Sequence, residues 1–293
     1  MFRAAAVACL MLGWGRPLFG QNPPAAPAPL LGIVVPSKVK CVVGVATAPG
    51  DLGSVWAAAR IGLAAVVRTE QGRKVVMDVD LFERTYDKSG RKLVDSRITP
   101  RNGVSARPVA ALSPSSFMAM GFAWVEPDGI TFYAPDATML ASEEFAANYC
   151  MRLRDPAAAD SVQGVIGIEF APPPGQPNHT DIGGVLWLDR ATGELVRLDY
   201  HYNRMPAEFK APAAGGRLVF RTLPKGFAIA QQWVMRLPIV DLVERRKGGV
   251  DRYSTNREDH AEKVVPFGTV TGFREFGGIV MRADVPGAPS WTP

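Results

Sequence analysis

The sequence predicts an α+β protein that is mostly antiparallel β, a curved or half-open barrel sheet of about ten strands with about three covering helices. Three observations carry this. Apolar and polar residues alternate with a period of two over 74–99 and almost everywhere beyond residue 160, in runs separated by tight-turn residues. Helical spacing shows in only three segments, too few to cover both faces of a sheet. The chain has 293 residues, 47% of them hydrophobic, and a chain of that length can bury roughly three quarters of its unfolded surface.

In chain order, residues 1–20 begin Met1-Phe2-Arg3, continue through an apolar run to Trp14 and end Arg16-Pro17-Leu18-Phe19-Gly20, the layout of a secretory signal peptide. The run is too short to cross a bilayer as a stable span. Cys9 lies inside it, whereas a lipid-bearing cysteine should end such a run. Residues 21–33 are a proline and alanine spacer that cannot pack. A single β-rich domain is expected over 34–285, with a tail at 286–293.

Within that domain, Leu52, Val55, Trp56, Ala59, Leu63, Val66 and Val67 recur at helical spacing over 52–69, with Asp51 or Ser54 placed to cap the helix. From Lys74 the period becomes two, and Asp87-Lys88-Ser89-Gly90 turns the chain into a return strand. Ser113-Pro114 opens a short helix that Gly121 closes. Pro127-Asp128-Gly129 makes a second turn. Asp136 is expected to cap one helix running to about Asn148.

Next come strands around 162–170, 185–189 and 194–202. In the last, Val196, Leu198, Tyr200 and Tyr202 form an apolar face and Arg197, Asp199 and His201 a solvent-facing one. A hairpin follows over 216–237, turned by Pro224-Lys225-Gly226, and then separate strands near 239–245, 266–274 and 278–283. Gly183-Gly184, Gly215-Gly216, Gly248-Gly249 and Gly277-Gly278 abut these strands and are expected in turns and bulges rather than in phosphate cradles.

Charge excludes one class of partner. There are 33 basic and 28 acidic residues, net +5; loss of Arg3 and Arg16 with a leader leaves 31 against 28, or +3. The densest basic run, Arg245-Arg246-Lys247, sits in the segment 241–263, which holds six residues of each sign. It lacks the unopposed basic patch that nucleic acid demands. Asn178-His179-Thr180 is a glycosylation sequon by pattern alone. Of the cysteines outside the leader, Cys41 and Cys150 are expected to pair in an oxidising compartment, the alternative being two buried thiols.

No catalytic residue, metal site or cofactor is assigned. His179, Asp181 and His201 could make a two-histidine, one-carboxylate metal site, but all three also suit surface positions. No Gly-x-Ser-x-Gly elbow occurs. The acidic pairs Asp78/Asp80 and Glu143/Glu144 fit solvated faces. Trp56, Trp124, Trp187 and Trp233 could line the hollow of a half-open sheet and hold a lipid, a lipopeptide or another greasy ligand, or could simply fill the core.

The run Gly184 to Tyr200 (GVLWLDRATGELVRLDY), with Gly215-Gly216-Arg217-Leu218-Val219-Phe220, Gln232 to Pro238 and Gly272 to Gly278, resembles secreted bacterial proteins labelled carboxypeptidase regulatory-like. Gly103 to Pro108, Tyr133 to Ala137 and Phe145 to Leu153 with its cysteine are similar to the same group, and the likeness covers roughly residues 41–282. The β-sandwich that gives those proteins their label has no counterpart before this region, so the label implies no activity here. More distantly, the hairpin Trp187-Leu188-Asp189 to Leu198 resembles the periplasmic lipoprotein carriers, whose fold is a half-open antiparallel barrel capped by helices.

These readings lead to a non-enzymatic periplasmic or secreted protein that binds a hydrophobic ligand or an envelope protein partner. A hydrolase with a dispersed site and a purely structural module are the alternatives. Exposed sheet edges could also pair chains, although the sequence by itself gives no ground for expecting it.

Overall fold

A computed structural model of the chain describes residues 43–44, 51–105, 112–126, 129–156, 163–175, 179–205, 211, 213–246 and 264–293. The expected leader and spacer, Cys41 and the glycines 248–249 lie outside these residues. Helix α1 spans Leu52–Gly72. Strands β1 (Val76–Tyr86) and β2 (Leu93–Ser105) form the first hairpin. Helix α2 (Pro114–Met120) leads into the small β3–β4 hairpin, Ala123–Glu126 and Gly129–Phe132. Two short helices follow, α3 (Ala137–Leu140) and α4 (Glu143–Asn148). Then come β5 (Cys150–Arg154), β6 (Val165–Ala171), β7 (Asp181–Asp189), β8 (Leu195–Asn203), β9 (Gly215–Thr222), β10 (Ala228–Arg246) and β11 (Val264–Asp284).

Nine of these strands make one antiparallel sheet in the order β2-β1-β11-β10-β9-β8-β7-β6-β5. Its ends, β2 and β5, do not meet, so the sheet is open rather than a closed barrel. Met151, Ile168, Phe170, Leu186, Leu198, Tyr200 and Leu218 point from successive strands to one side, where α1, α2, α3 and α4 bring Trp56, Leu63, Phe117, Leu140 and Phe145 against them in one core. The helices therefore fill the hollow of the sheet. Among the described residues, no helix is long and apolar enough to cross a membrane.

Local sequence explains most boundaries. Ser113 caps α2 by accepting from Ser116 N, and Gly121 ends it at φ 78°, a conformation that costs glycine little. Asp51 stands at the α1 N-terminus without a side-chain cap; Ser54 Oγ donates to the Asp51 carbonyl instead. The single helix expected after Asp136 is two. Asp136 caps the first through Met139 N, and Ser142 breaks the run by accepting from Phe145 N at the start of the second.

Two further expectations change. The strands expected at 227–237 and 239–245 are one strand, β10, which passes straight through Pro238. Its last pairing with β9 is Arg236 with Gly215, so the flank on which Pro238 lacks an N–H has no partner to lose. Likewise β11 runs unbroken through Gly277-Gly278, and these glycines sit mid-strand rather than in a turn. An added Cβ at Gly278 would run into the Trp233 indole, and one at Gly277 into the Trp233 carbonyl and the Phe82 ring.

The face away from the helices is less solvated than alternation implies. Arg197 is buried, with Asp199 and His201 half-buried beside it. Asp199 accepts from Arg197 Nε at 2.8 Å, Arg217 Nε at 2.5 Å and Trp187 Nε1 at 3.1 Å, so charge partners on three neighbouring strands desolvate one another. A bulge at β7–β8 sets Leu195 opposite Leu188 and Arg197 opposite Trp187, which moves Val196 out of the apolar face and beside Trp187.

The C-terminal tail folds back on the sheet. Trp291 exchanges two backbone hydrogen bonds with Ala283, and Val285 joins Val75, Met77, Val79 and Ile229 in a second core.

Candidate functional site

The four tryptophans do not meet. Trp56 is buried in the main core 6.0 Å from Phe145. Trp124, on β3 of the small hairpin, lies with its ring centroid 4.9 Å from that of Tyr133, tilted at 53°. Trp187 is buried on the opposite face of the sheet, under the guanidinium groups of Arg154 at 5.6 Å and Arg197 at 6.0 Å. Trp233 is half-buried over Gly278 and borders a shallow recess of about 380 Å³ with Phe276, Arg97 and Arg101. A second recess, more apolar than the one beside Trp233, lies against helix α1.

That recess is a groove of about 330 Å³ between α1 and the turns β7–β8 and β9–β10. Helix α1 makes one wall because it carries two apolar stripes. Leu52, Trp56, Ala59, Leu63 and Val66 are buried in the core, whereas Ala58, Ile61 and Ala65 border the groove, and Ile61 is left 71% exposed. Ile61 is the most exposed large apolar side chain among the described residues, and it stands on the groove's wall.

The opposite walls come from turns with defined geometry. Asp189 Oδ1 accepts from Ala191 N at 2.9 Å and Thr192 N at 2.8 Å, and Gly193 takes φ 73°. These bonds, that from Thr192 N foremost, hold the Asp189 carboxyl below the usual carboxylate range. The helix is seated at two points. An added Cβ on Gly62 would come within 2.9 Å of Leu195 Cβ, so only glycine allows this approach. Farther along, Thr69 Oγ1 accepts from Ala228 N at 3.0 Å while donating to Ala65 O at 2.8 Å, which ties α1 to the start of β10. Leu195, Phe220 and Phe227 form the apolar floor, with Arg68, Arg221 and Glu194 at the edge.

No family model matches this chain, and no curated protein or solved structure does either.

His179 and Asp181 lie side by side, and His201 sits on the adjoining strand two positions along from the residue facing Asp181. His179 lies with Nε2 3.8 Å from Asp181 Oδ2, and the buried Tyr149 hydroxyl donates to the other carboxylate oxygen. Burial, reinforced by that carboxylate, pushes the Tyr149 phenol well above its ordinary value. His201 is on β8 opposite Gly183, where neither ring nitrogen is hydrogen-bonded. No group of three His, Cys, Asp or Glu side chains suited to a metal occurs among the described residues. Asp78 and Asp80 alternate along β1, and Glu143 and Glu144 occupy the first turn of α4. Cys150 is disulfide-bonded; Val43 bridges to it across the β5 edge, and Cys41 lies outside the described residues.

The groove left no mark in the sequence because its walls come from residues 58–68, 192–195 and 220–228, all of common types. Only the unused apolar stripe on α1 hinted at it.

Proposed function

We propose that this protein is a non-catalytic, periplasmic or secreted binder of a hydrophobic ligand, a lipid or lipopeptide, seated in the groove between α1 and the β7–β8 and β9–β10 turns. The observation that carries this is the exposed second stripe of α1, Ile61 above all, facing an apolar recess of about 330 Å³. That volume falls in the range of small-molecule sites. Arg68 and Arg221 favour an anionic head at the edge, so a fatty acid or an acidic lipid suits it better than a neutral chain. The resemblance of Trp187 to Leu198 to a hairpin of the lipoprotein carriers supports the same class of ligand. Export is supported by the leader pattern of residues 1–20 and by a disulfide at Cys150, since such bonds persist in oxidising compartments.

The test is displacement of a fluorescent fatty acid from the purified protein, read against Ala65→Trp, which fills the groove, and Ile61→Asp, which makes it polar. Saturable binding that weakens about tenfold or more in both variants, with melting temperatures close to the parent's, supports the reading. Absence of binding by fatty acids, lysophospholipids and lipopeptides alike would remove it.

A further inference from the structure

The two edges of the nine-stranded sheet differ. At β5, Val43 and Gly44 cap the start of the edge, with a bridge from Val43 to Cys150 and a hydrogen bond from Gly44 N to Tyr149 O of 3.0 Å. Strand β2 pairs with β1 on one side, and nothing among the described residues pairs with it on the other. It is thirteen residues long and exposes Leu93, Val94 and Ile98 at 49%, 63% and 53%. A long bare edge bearing apolar side chains is a template for another strand.

We propose that β2 pairs antiparallel with β2 of a second copy, centred on Ser96, so that the two nine-stranded sheets join into one. The sequence of the edge selects both occupant and register. With Ser96 opposite itself, Asp95 of each copy faces Arg97 of the other, and Val94 faces Ile98. Opposite charges and apolar pairs directly across strands are the units that stabilise a sheet. Shifting the centre by one residue sets Arg97 against Arg97, or Asp95 against Asp95, and like charges opposite one another destabilise. Asp95 and Arg97 are both exposed, and neither makes an ion pair among the described residues, so both are available.

Pro100 marks the limit of the pairing. It lies opposite Asp80 inside the β1–β2 ladder, and lacking an N–H it belongs on the flank that faces away from β1. The regular register from Arg84–Ser96 to Asp80–Pro100 then turns the N–H groups of Ser96 and Ile98 outward as well. Pro100 closes one end of the free stretch. At the other end Val94 is the extra residue of a bulge between the pairs Thr85–Asp95 and Tyr86–Leu93. The contact is therefore about five residues per copy, as expected of a specific but modest association.

Sedimentation equilibrium of the purified protein, up to about 100 μM, tests this at the weak end of specific association. A dimer is expected. Arg97→Glu should raise its dissociation constant by about tenfold through the like-charge contact with Asp95, and the swap Asp95→Arg with Arg97→Asp should restore the parent value. Ser96→Pro removes an outward N–H and should give a monomer whose melting temperature stays close to the parent's. Because the charge swap reads out without a proline, misfolding of that variant would not mask the answer. A parent protein that stays monomeric, or a dimer indifferent to both Arg97→Glu and Ser96→Pro, overturns the proposal.

Discussion

Arg236 and Glu275 form an ion pair between neighbouring strands, Nη1 to Oε1 3.1 Å, in which each side chain is only 1% exposed. The Arg236 guanidinium lies 4.9 Å from the Tyr86 ring and 4.8 Å from the Phe273 ring. Its other amino group donates to the Gly90 carbonyl in the β1–β2 turn, while Tyr86 Oη donates to Glu275 Oε2 at 3.0 Å. The first hairpin is thereby fastened over the sheet by one buried cation.

Removing one member of such a pair leaves the other charge buried and uncompensated, which costs about 3–5 kcal/mol. Glu275→Gln is the sharper variant, because Arg84 Nη1 also lies 3.7 Å from Glu275 and two cations would lose one anion. Replacing both partners, Arg236→Met with Glu275→Leu, should cost distinctly less than Glu275→Gln alone. Denaturant unfolding of the three proteins checks the order.

His201 gives the molecule an acid sensitivity. Burial holds its imidazole below the ordinary value near 6.5, against a weaker opposing pull from Asn203. The unfolded chain therefore binds a proton here at higher pH than the folded chain. Stability from the neutral ring is complete above about pH 6.5 and falls as pH drops toward the folded value, by at most about 1.4 kcal/mol per pH unit. Asp87, Asp189 and Asp284 do not confuse this window, since hydrogen bonds, foremost from Ser89, Thr192 and Ser290, hold them below the usual carboxylate range. Melting temperature between pH 7.5 and 5 should fall in the parent protein and flatten in His201→Gln; equal slopes would refute it.

Some features were legible because one short stretch decides them. Ser113, Pro114 and Gly121 carry the start and stop of α2 between them, and the period of two in β1 and β8 needs no distant partner. Other features depend on residues far apart in the chain. Pro238 reads as a strand break unless it is known that β9 starts only at Gly215, opposite Arg236. Arg197 reads as solvated until Asp199, Arg217 and Trp187 are brought beside it by three strands. The break at Ser142 lay in plain view, as a good N-cap followed by Glu143 and Glu144, but the helical spacing across it hid the stop. The four tryptophans looked like one lining because composition carries no position.

Two glycines offer a contrast that tests how tightly the sheet and helices pack. An added Cβ on Gly216 would come within 2.5 Å of the Tyr200 ring, which lies across β9 fully buried in the core. Neither strand can give way, because Tyr200 pairs with Gly184 on β7 and with Gly216 on β9. Gly216→Ala should therefore cost about 1–3 kcal/mol as overpacking. Gly53, in the first turn of α1, has nothing within 4 Å of an added Cβ, and there the methyl only restricts the unfolded chain, so Gly53→Ala should stabilise by about 0.4–1 kcal/mol. Opposite shifts in the denaturant midpoint, with unchanged slopes, are the expected result. A neutral Gly216→Ala would mean that the Tyr200 ring does not lie where it is placed against β9.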